Sequence, residues 1–270
     1  MARKFGVWTA TVIAVAAMGL SACSSDSGTD SKKDTDKTAE GKPGDEGKPG
    51  DDKGGQANGV EKLSAQQIAK KSGEAVSSVK SLRVKLDDTK GQSSLDLTTD
   101  TSGNCLGKTS LQGIDSRVIK KGEQAWIKPE DSYWATKEGK QTLAKEPQAK
   151  GKYFHGTTKS SITLGLTTAY CELQPETLAK GLMSAKQVTK GAPTTAGGKK
   201  VVPITLAMSG GKPSTLYIAT EGKPYPVKVN DKKTGQGVEL SDFGVRFTVT
   251  APSAAESIPV SKVEGPSSIG

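Results

Sequence analysis

The side chains with the most chemistry to offer in this 270-residue chain are three cysteines, Cys23, Cys105 and Cys171, and one histidine, His155. A thiol becomes a nucleophile when its pKa is lowered or a base stands beside it, and a metal site needs several ligands at fixed spacing. His155 stands in Tyr153-Phe154-His155-Gly156 with no second histidine or paired cysteines near it, so neither frame can be written around it. The stretch from Gly103 to Thr109 (GNCLGKT) ends like a phosphate loop. It fails the spacing, because that loop needs four residues between its first glycine and the Gly-Lys pair, and Ser102 stands where the glycine belongs. Glu130 and Asp131, followed by Ser132, read as a hairpin turn rather than an acid/base pair. The sequence therefore predicts no catalytic residue, no metal ligand and no cofactor, and a protein that is not an enzyme.

Cys23 has a different chemistry. Arg3 and Lys4 precede an apolar stretch from Phe5 to Leu20, and the small residues Ser21 and Ala22 follow, which is the layout of an export signal. The stretch is shorter than the roughly 20 residues a spanning helix needs. Leu20-Ser21-Ala22-Cys23 resembles the bacterial lipobox, in which the cysteine sulfur accepts a diacylglycerol and the peptide is cut just ahead of it. Residues 1–22 are thus expected to be a lipoprotein signal peptide and Cys23 a lipid anchor. Each buried acyl CH₂ contributes about 0.8 kcal/mol, and two chains hold where one would not.

Residues 24–59 consist almost wholly of Ser, Asp, Lys, Gly, Pro, Thr and Glu, with the near-repeat GKPGDE/GKPGDD, so 23–59 reads as a lipid-anchored tether without a core. A flexible coil of that length reaches roughly 30 Å. The formal net charge is +9 for the chain, and it belongs mainly to residues after the tether. The lysines are scattered with few aromatics between them, so nucleic acid is not an expected partner. The basic balance suits solubility and attraction to anionic lipid or an anionic envelope polymer. The expected location is the outer face of the cytoplasmic membrane.

An even pair of remaining cysteines in an exported chain predicts a Cys105–Cys171 disulfide. The loop it closes corresponds to about 4 kcal/mol in the chain-entropy model. Ser64 with Gln67 predicts a capping box, and Ile68, Ala69, Val76 and Val79 follow at helical spacing. From Leu82 the period becomes two: Leu82, Val84, Leu86; Leu95, Leu97; Ile204, Leu206, Met208; Leu216, Ile218; Val227, Val229; Val238, Leu240; Val245, Phe247, Val249. Such runs separated by turn clusters predict an antiparallel meander. The segment 160–185 reads as one or two helices, with Pro175 at a helix start.

The helix running into VKSLRVKLD, the stretch GEQAWIKPEDSYW, the helical insert and the closing YPVKVNDKKTGQGVELSDFGVRFTVTAPSAAESI together resemble the LppX/LprG-type lipoproteins, relatives in fold of the carrier LolA. The resemblance implies an α+β fold, a LolA-like open antiparallel β half-barrel covered by helices, over 60–262, with 263–270 as a tail. It also implies an apolar space between sheet and helices that takes a lipid or glycolipid. The candidate residues to line it, or alternatively to fill a core, are Leu95, Leu97, Leu216, Ile218, Val227 and Val229. Trp126, with Trp134, Tyr153 and Phe154, is a candidate for the pocket mouth. The other reading is a non-catalytic envelope interaction or structural lipoprotein without a lipid ligand.

Overall fold

The computed structural model describes residues 55–87, 93–159, 161–207, 213–231 and 237–264. The signal stretch, Cys23, most of the tether and Met208 lie outside the described residues.

The alternating runs become strands because each has a dry and a wet side to satisfy. In chain order they are β1 (Ser81–Asp87), β2 (Ser93–Asp100), β3 (Cys105–Leu111), β4 (Ile114–Lys121), β5 (Gln124–Pro129), β6 (Tyr153–Thr157), β7 (Val188–Lys190), β8 (Thr194–Ala196), β9 (Lys199–Ala207), β10 (Pro213–Ala219), β11 (Pro226–Asp231), β12 (Gly237–Ser241) and β13 (Ser257–Pro259). Among the described residues they form one sheet in the order β13-β6-β5-β4-β3-β2-β1-β12-β11-β10-β9-β7, with β8 also on β9. Only β13 on β6 is parallel. The sheet is open, since its outermost strands β13 and β7 do not pair with each other.

Helices cover one face. In α1 (Ala65–Ser77) the Ser64 hydroxyl accepts the Gln67 amide at 3.3 Å and the Gln67 side chain accepts the Ser64 amide at 3.0 Å, the reciprocal cap expected from the sequence. Ile68, Ala69 and Val76 of α1 are buried with Leu178, Ala179 and Leu182 of α5 (Pro175–Ser184), whose first residue is the helix-starting proline. These two helices lie over Leu82, Val84, Leu86, Leu95, Leu97, Ile204, Leu206, Leu216, Ile218 and Leu240, all buried in the same cluster. A second cluster joins Ala125, Ile127, Phe154, Trp134, Leu164, Ile258, Val260 and Val263. Both lie on one face, because the ladder places Leu97, Gly107, Val118, Ile127 and Phe154 in a single cross-strand row. Gly107 is required in that row: a Cβ there would stand 2.0 Å from the Asp96 carbonyl oxygen and 2.9 Å from the Leu97 Cα.

The structure departs from the sequence reading at several points. Glu130 and Asp131 form no hairpin turn. Asp131 opens α2 (Asp131–Ala135), and α3 (Lys137–Lys145) follows, capped by the Thr136 hydroxyl accepting the Gly139 amide at 3.0 Å. The run Val245, Phe247, Val249 is not a strand, although its alternation is regular. Its nearest sheet edges are taken, as β1 already pairs with β2 and β12, and Asp242 and Gly244, with φ of 51° and 81°, turn the chain away. Composition placed residues 55–59 in the tether, yet Asn58 donates to the Ala219 and Gly222 carbonyls at 3.0 and 3.1 Å. At the other end Val263 is buried and Glu264 is hydrogen-bonded, so the ordered chain runs past 262.

Candidate functional site

The sheet is covered unevenly, and the unevenness makes a cavity. Over β1, β2 and β9–β12 the helices α1 and α5 close down on a filled core. Over β3–β6 the cover consists of α2, the start of α3, the short helix α4 (Ile162–Thr167) and the C-terminal turn at Val260–Lys262. There a half-open cavity of about 890 Å³ remains. Ile127, Phe154 and Leu164 form its apolar part with Val260 and Val263, and Tyr133, Leu111, Ile114 and Leu166 extend it. Trp134 stands behind it, its ring edge-on to Phe154 at 6.2 Å.

Hydroxyls interrupt the apolar lining. The row one step along the strands is Leu95, Thr109, Ser116 and Pro129, and Thr109, Ser116 and Pro129 reach the cavity wall. Thr109 is buried, and its Oγ1 has no hydrogen-bond partner among the described residues, which costs about 1–3 kcal/mol unless a guest or water meets it. Thr136, Thr163, Thr167 and Ser93 add further hydroxyls, although Thr167 already donates to the Thr163 carbonyl at 2.7 Å. The charged groups in the wall are both acidic, Glu138 and Glu264, the second held by the Ser161 hydroxyl at 2.9 Å. A carboxylate or phosphate guest would meet no cation in this wall.

The disulfide holds this cover in place. Cys105 of β3 and Cys171 are bonded, with their Cα atoms 5.6 Å apart, and Cys171 lies in the 3-10 turn Ala169–Glu172 that follows α4. The Thr99 hydroxyl donates to the Cys171 carbonyl at 2.9 Å. Lys120, opposite Cys105 in the ladder, is buried and donates to the Gly103 carbonyl at 3.2 Å while pairing with Glu172 at 3.1 Å. The turn is therefore fixed from two sides.

Only part of the predicted set meets this cavity. Leu95, Leu97, Leu216 and Ile218 are buried in the filled core, and Leu95 touches only a separate polar cleft of about 630 Å³ beside Asp96 and Lys108. Val229 packs partly buried against the same core. Val227 lies elsewhere: the register of β10 and β11 shifts between Tyr217 and Ile218, and Val227 packs with Val201 and Ala219 on the opposite face. Trp126 is also on that outer face, in the row Leu106, Ile119, Trp126, His155, because its neighbours Ala125 and Ile127 point inward. Of the mouth candidates, Phe154 lines the cavity and Trp134 backs it, while Tyr153 lies under the Lys128 ammonium at 5.5 Å. Sequence reasoning missed Thr109, Ser116 and the α4 threonines. The signal was present as polar residues at inward positions of β3 and β4, where a packed core would carry Val or Leu.

His155 belongs to no group of potential metal ligands, and no such group occurs among the described residues. Among the described residues no helix is long and apolar enough to cross a membrane.

No protein-family model matches the sequence, and no curated protein matches it. Among solved structures the fold is similar to LprF from Mycobacterium bovis, at 14% identity over 70% of this chain and 97% of that one, with a TM-score of 0.46. It is also similar to the lipoprotein LppX from Mycobacterium tuberculosis, at 14% identity over 69% and 98% of the two chains, with a TM-score of 0.42. An uncharacterized conserved protein from Thermus thermophilus follows at 11% identity over 72% and 98%, with a TM-score of 0.33. LppX is one of the two proteins after which the family resembled by the sequence is named.

Proposed function

We propose that the chain is an exported, lipid-anchored lipoprotein, not an enzyme, whose folded part holds the acyl portion of a lipid between the sheet and its helical cover. The observation that carries this reading is the cavity of about 890 Å³ on the face of the sheet that elsewhere is closed by a packed core. Ligand sites of about 300–1,000 Å³ with an apolar wall and a few placed polar groups are typical of small-molecule binding. Ile127, Phe154, Leu164, Val260 and Val263 suit hydrocarbon, while the hydroxyls of Thr109 and Ser116 suit an ester or hydroxyl near the head group. Diacylglycerol on Cys23 would keep the domain beside its source of ligand.

The protein purified from membranes in mild detergent is to be analysed by native mass spectrometry and solvent extraction. A lipid retained at near one per chain is expected. A chain that is empty and also takes up no fluorescent acyl probe would sink the proposal.

The outer face of the sheet favours a second reading, a non-catalytic contact with an anionic envelope polymer. Lys108, Arg117 and Lys128 form a cross-strand row there, next to the row containing Trp126 and His155. Arg117 already pairs with Glu130 at 2.9 Å, which leaves Lys108 and Lys128 to carry such a contact.

A further inference from the structure

The cover of the cavity carries an apolar ladder that the other described residues leave exposed. Ile162, Leu166 and Tyr170 recur every four residues through α4 and the turn after it, and they are 56%, 59% and 40% exposed. Single exposed apolar side chains need no explanation, whereas a row of large ones marks a contact surface. This row is held rigidly. At one end the Ser161 hydroxyl caps α4 through the Leu164 amide at 3.1 Å, and at the other Cys171 is tied to β3. The Thr168 hydroxyl, donating to the Leu164 carbonyl at 2.7 Å, fixes the middle. The exposure is thus built into the fold.

We propose that this ladder is a membrane-docking face, which seats the mouth of the cavity in the lipid–water boundary of a bilayer. The inference rests on the reading of the cavity as a lipid site and names how that site is loaded. Three observations select a bilayer as the occupant. Leu166 is both exposed and part of the cavity wall, so whatever covers the ladder also faces the opening. A second copy or a protein partner seated there would close the mouth, while a bilayer would supply the guest. From Ser161 to Cys171 the sequence SITLGLTTAYC has no charged residue, although a quarter of the chain is charged, so nothing in the ladder resists transfer into the head-group region. Tyr170 ends the row with the amphipathic ring that membrane boundaries favour.

The test uses the complete lipidated chain in vesicles of phosphatidylglycerol and phosphatidylethanolamine that contain a nitroxide-labelled lipid. Leu166→Cys and, as a control on the opposite face of the sheet, Lys108→Cys are labelled with an environment-sensitive fluorophore. The unsubstituted chain shows the background, because Cys105 and Cys171 are bonded and Cys23 is acylated. The label at 166 is expected to shift to the blue and to be quenched by the nitroxide lipid, while the label at 108 stays in water. With Ile162→Ser and Leu166→Ser together, the rate of lipid uptake from vesicles is expected to fall at least about tenfold. These positions are exposed, so the variant should fold as the parent does. A label at 166 that remains in water, or that is shielded without nitroxide quenching, overturns the docking proposal in favour of no contact or a protein contact. Lipid extracted from the same samples decides the cavity reading separately, since occupied cavities with a water-exposed label would refute docking alone.

Discussion

Ile127 and Leu216 are both buried on the inner face of one sheet, and the same change at each has a different consequence. Leu216 is enclosed in the filled core, so Leu216→Gln buries an amide without a partner and is expected to cost about 3 kcal/mol or more in denaturant unfolding, with lipid occupancy unchanged. Ile127 faces the cavity, where the new amide can meet water or a guest. Ile127→Gln is expected to lower lipid occupancy by a larger factor than its smaller loss of stability explains. Equal loss of stability at both sites would mean that the cavity is part of the core. A charge pair gives the residue scale its pH dependence. Arg83 donates from both Nε and Nη2 to the Asp96 carboxylate, which holds that carboxyl below its ordinary value of 3.8. A depressed folded pKa means that the pair stabilises fully above the unfolded value and is lost as pH falls through the folded one. Both side chains are more than a third exposed, so the contribution is at most about 1 kcal/mol. Asp96→Asn is expected to lower the unfolding midpoint slightly at pH 7 and by progressively less as the pH falls below the ordinary carboxyl range, as read by parallel melts.

At the scale of elements, the disulfide and the two kinds of helical cover divide the sheet into a closed half and an open half. The packing of α1 on α5 is close because Gly73 leaves room for Met183 and Leu182, so this pair closes over its strands. The cover over β3–β6 is made of short helices and turns, and Cys105–Cys171 joins the turn after α4 to the strand beneath. Replacing both cysteines by serine is expected to cost about 4 kcal/mol by the chain-entropy model. It should also loosen α4, so lipid occupancy at a temperature where the variant is still folded is expected to fall as well. Lost stability with full occupancy would show that the other contacts of α4, through Ser161 and Glu264, hold the cover alone.

For the whole molecule the governing numbers are the position of the anchor and the sign of the charge. Cys23 lies outside the described residues, and the domain begins by Gly55, so about 30 residues separate the proposed lipid from the sheet. Fully extended, that length spans up to roughly 100 Å, so the tether permits docking in any orientation and does not impose one. Cys23→Ala is expected to move the protein from the membrane fraction or to leave it uncleaved at a higher mass, checked by fractionation and intact mass. A mature chain of unchanged mass that still sediments with membranes would refute the acyl anchor.

The local sequence determined what depends on neighbours along the chain. The cap at Ser64 and Gln67, Pro175 at a helix start, and most of the period-two strands are set by hydrogen bonds and side-chain alternation within a few residues, and all are in the structure. The cysteine pair was legible from its count alone. Tertiary structure decided everything that needed a partner. Val245, Phe247 and Val249 alternate as a strand does, but the neighbouring strand β1 is already paired on both sides, and α2 and α3 form where a turn was expected. Val227 and Val229 share a parity in sequence, yet one residue of bulge sends them to opposite faces. The position of the cavity follows from the same physics. An apolar residue on the inner face looks alike in sequence whether α1 and α5 press on it or the short helices leave space above it, and only the packing of elements far apart in the chain separates Leu216 from Ile127.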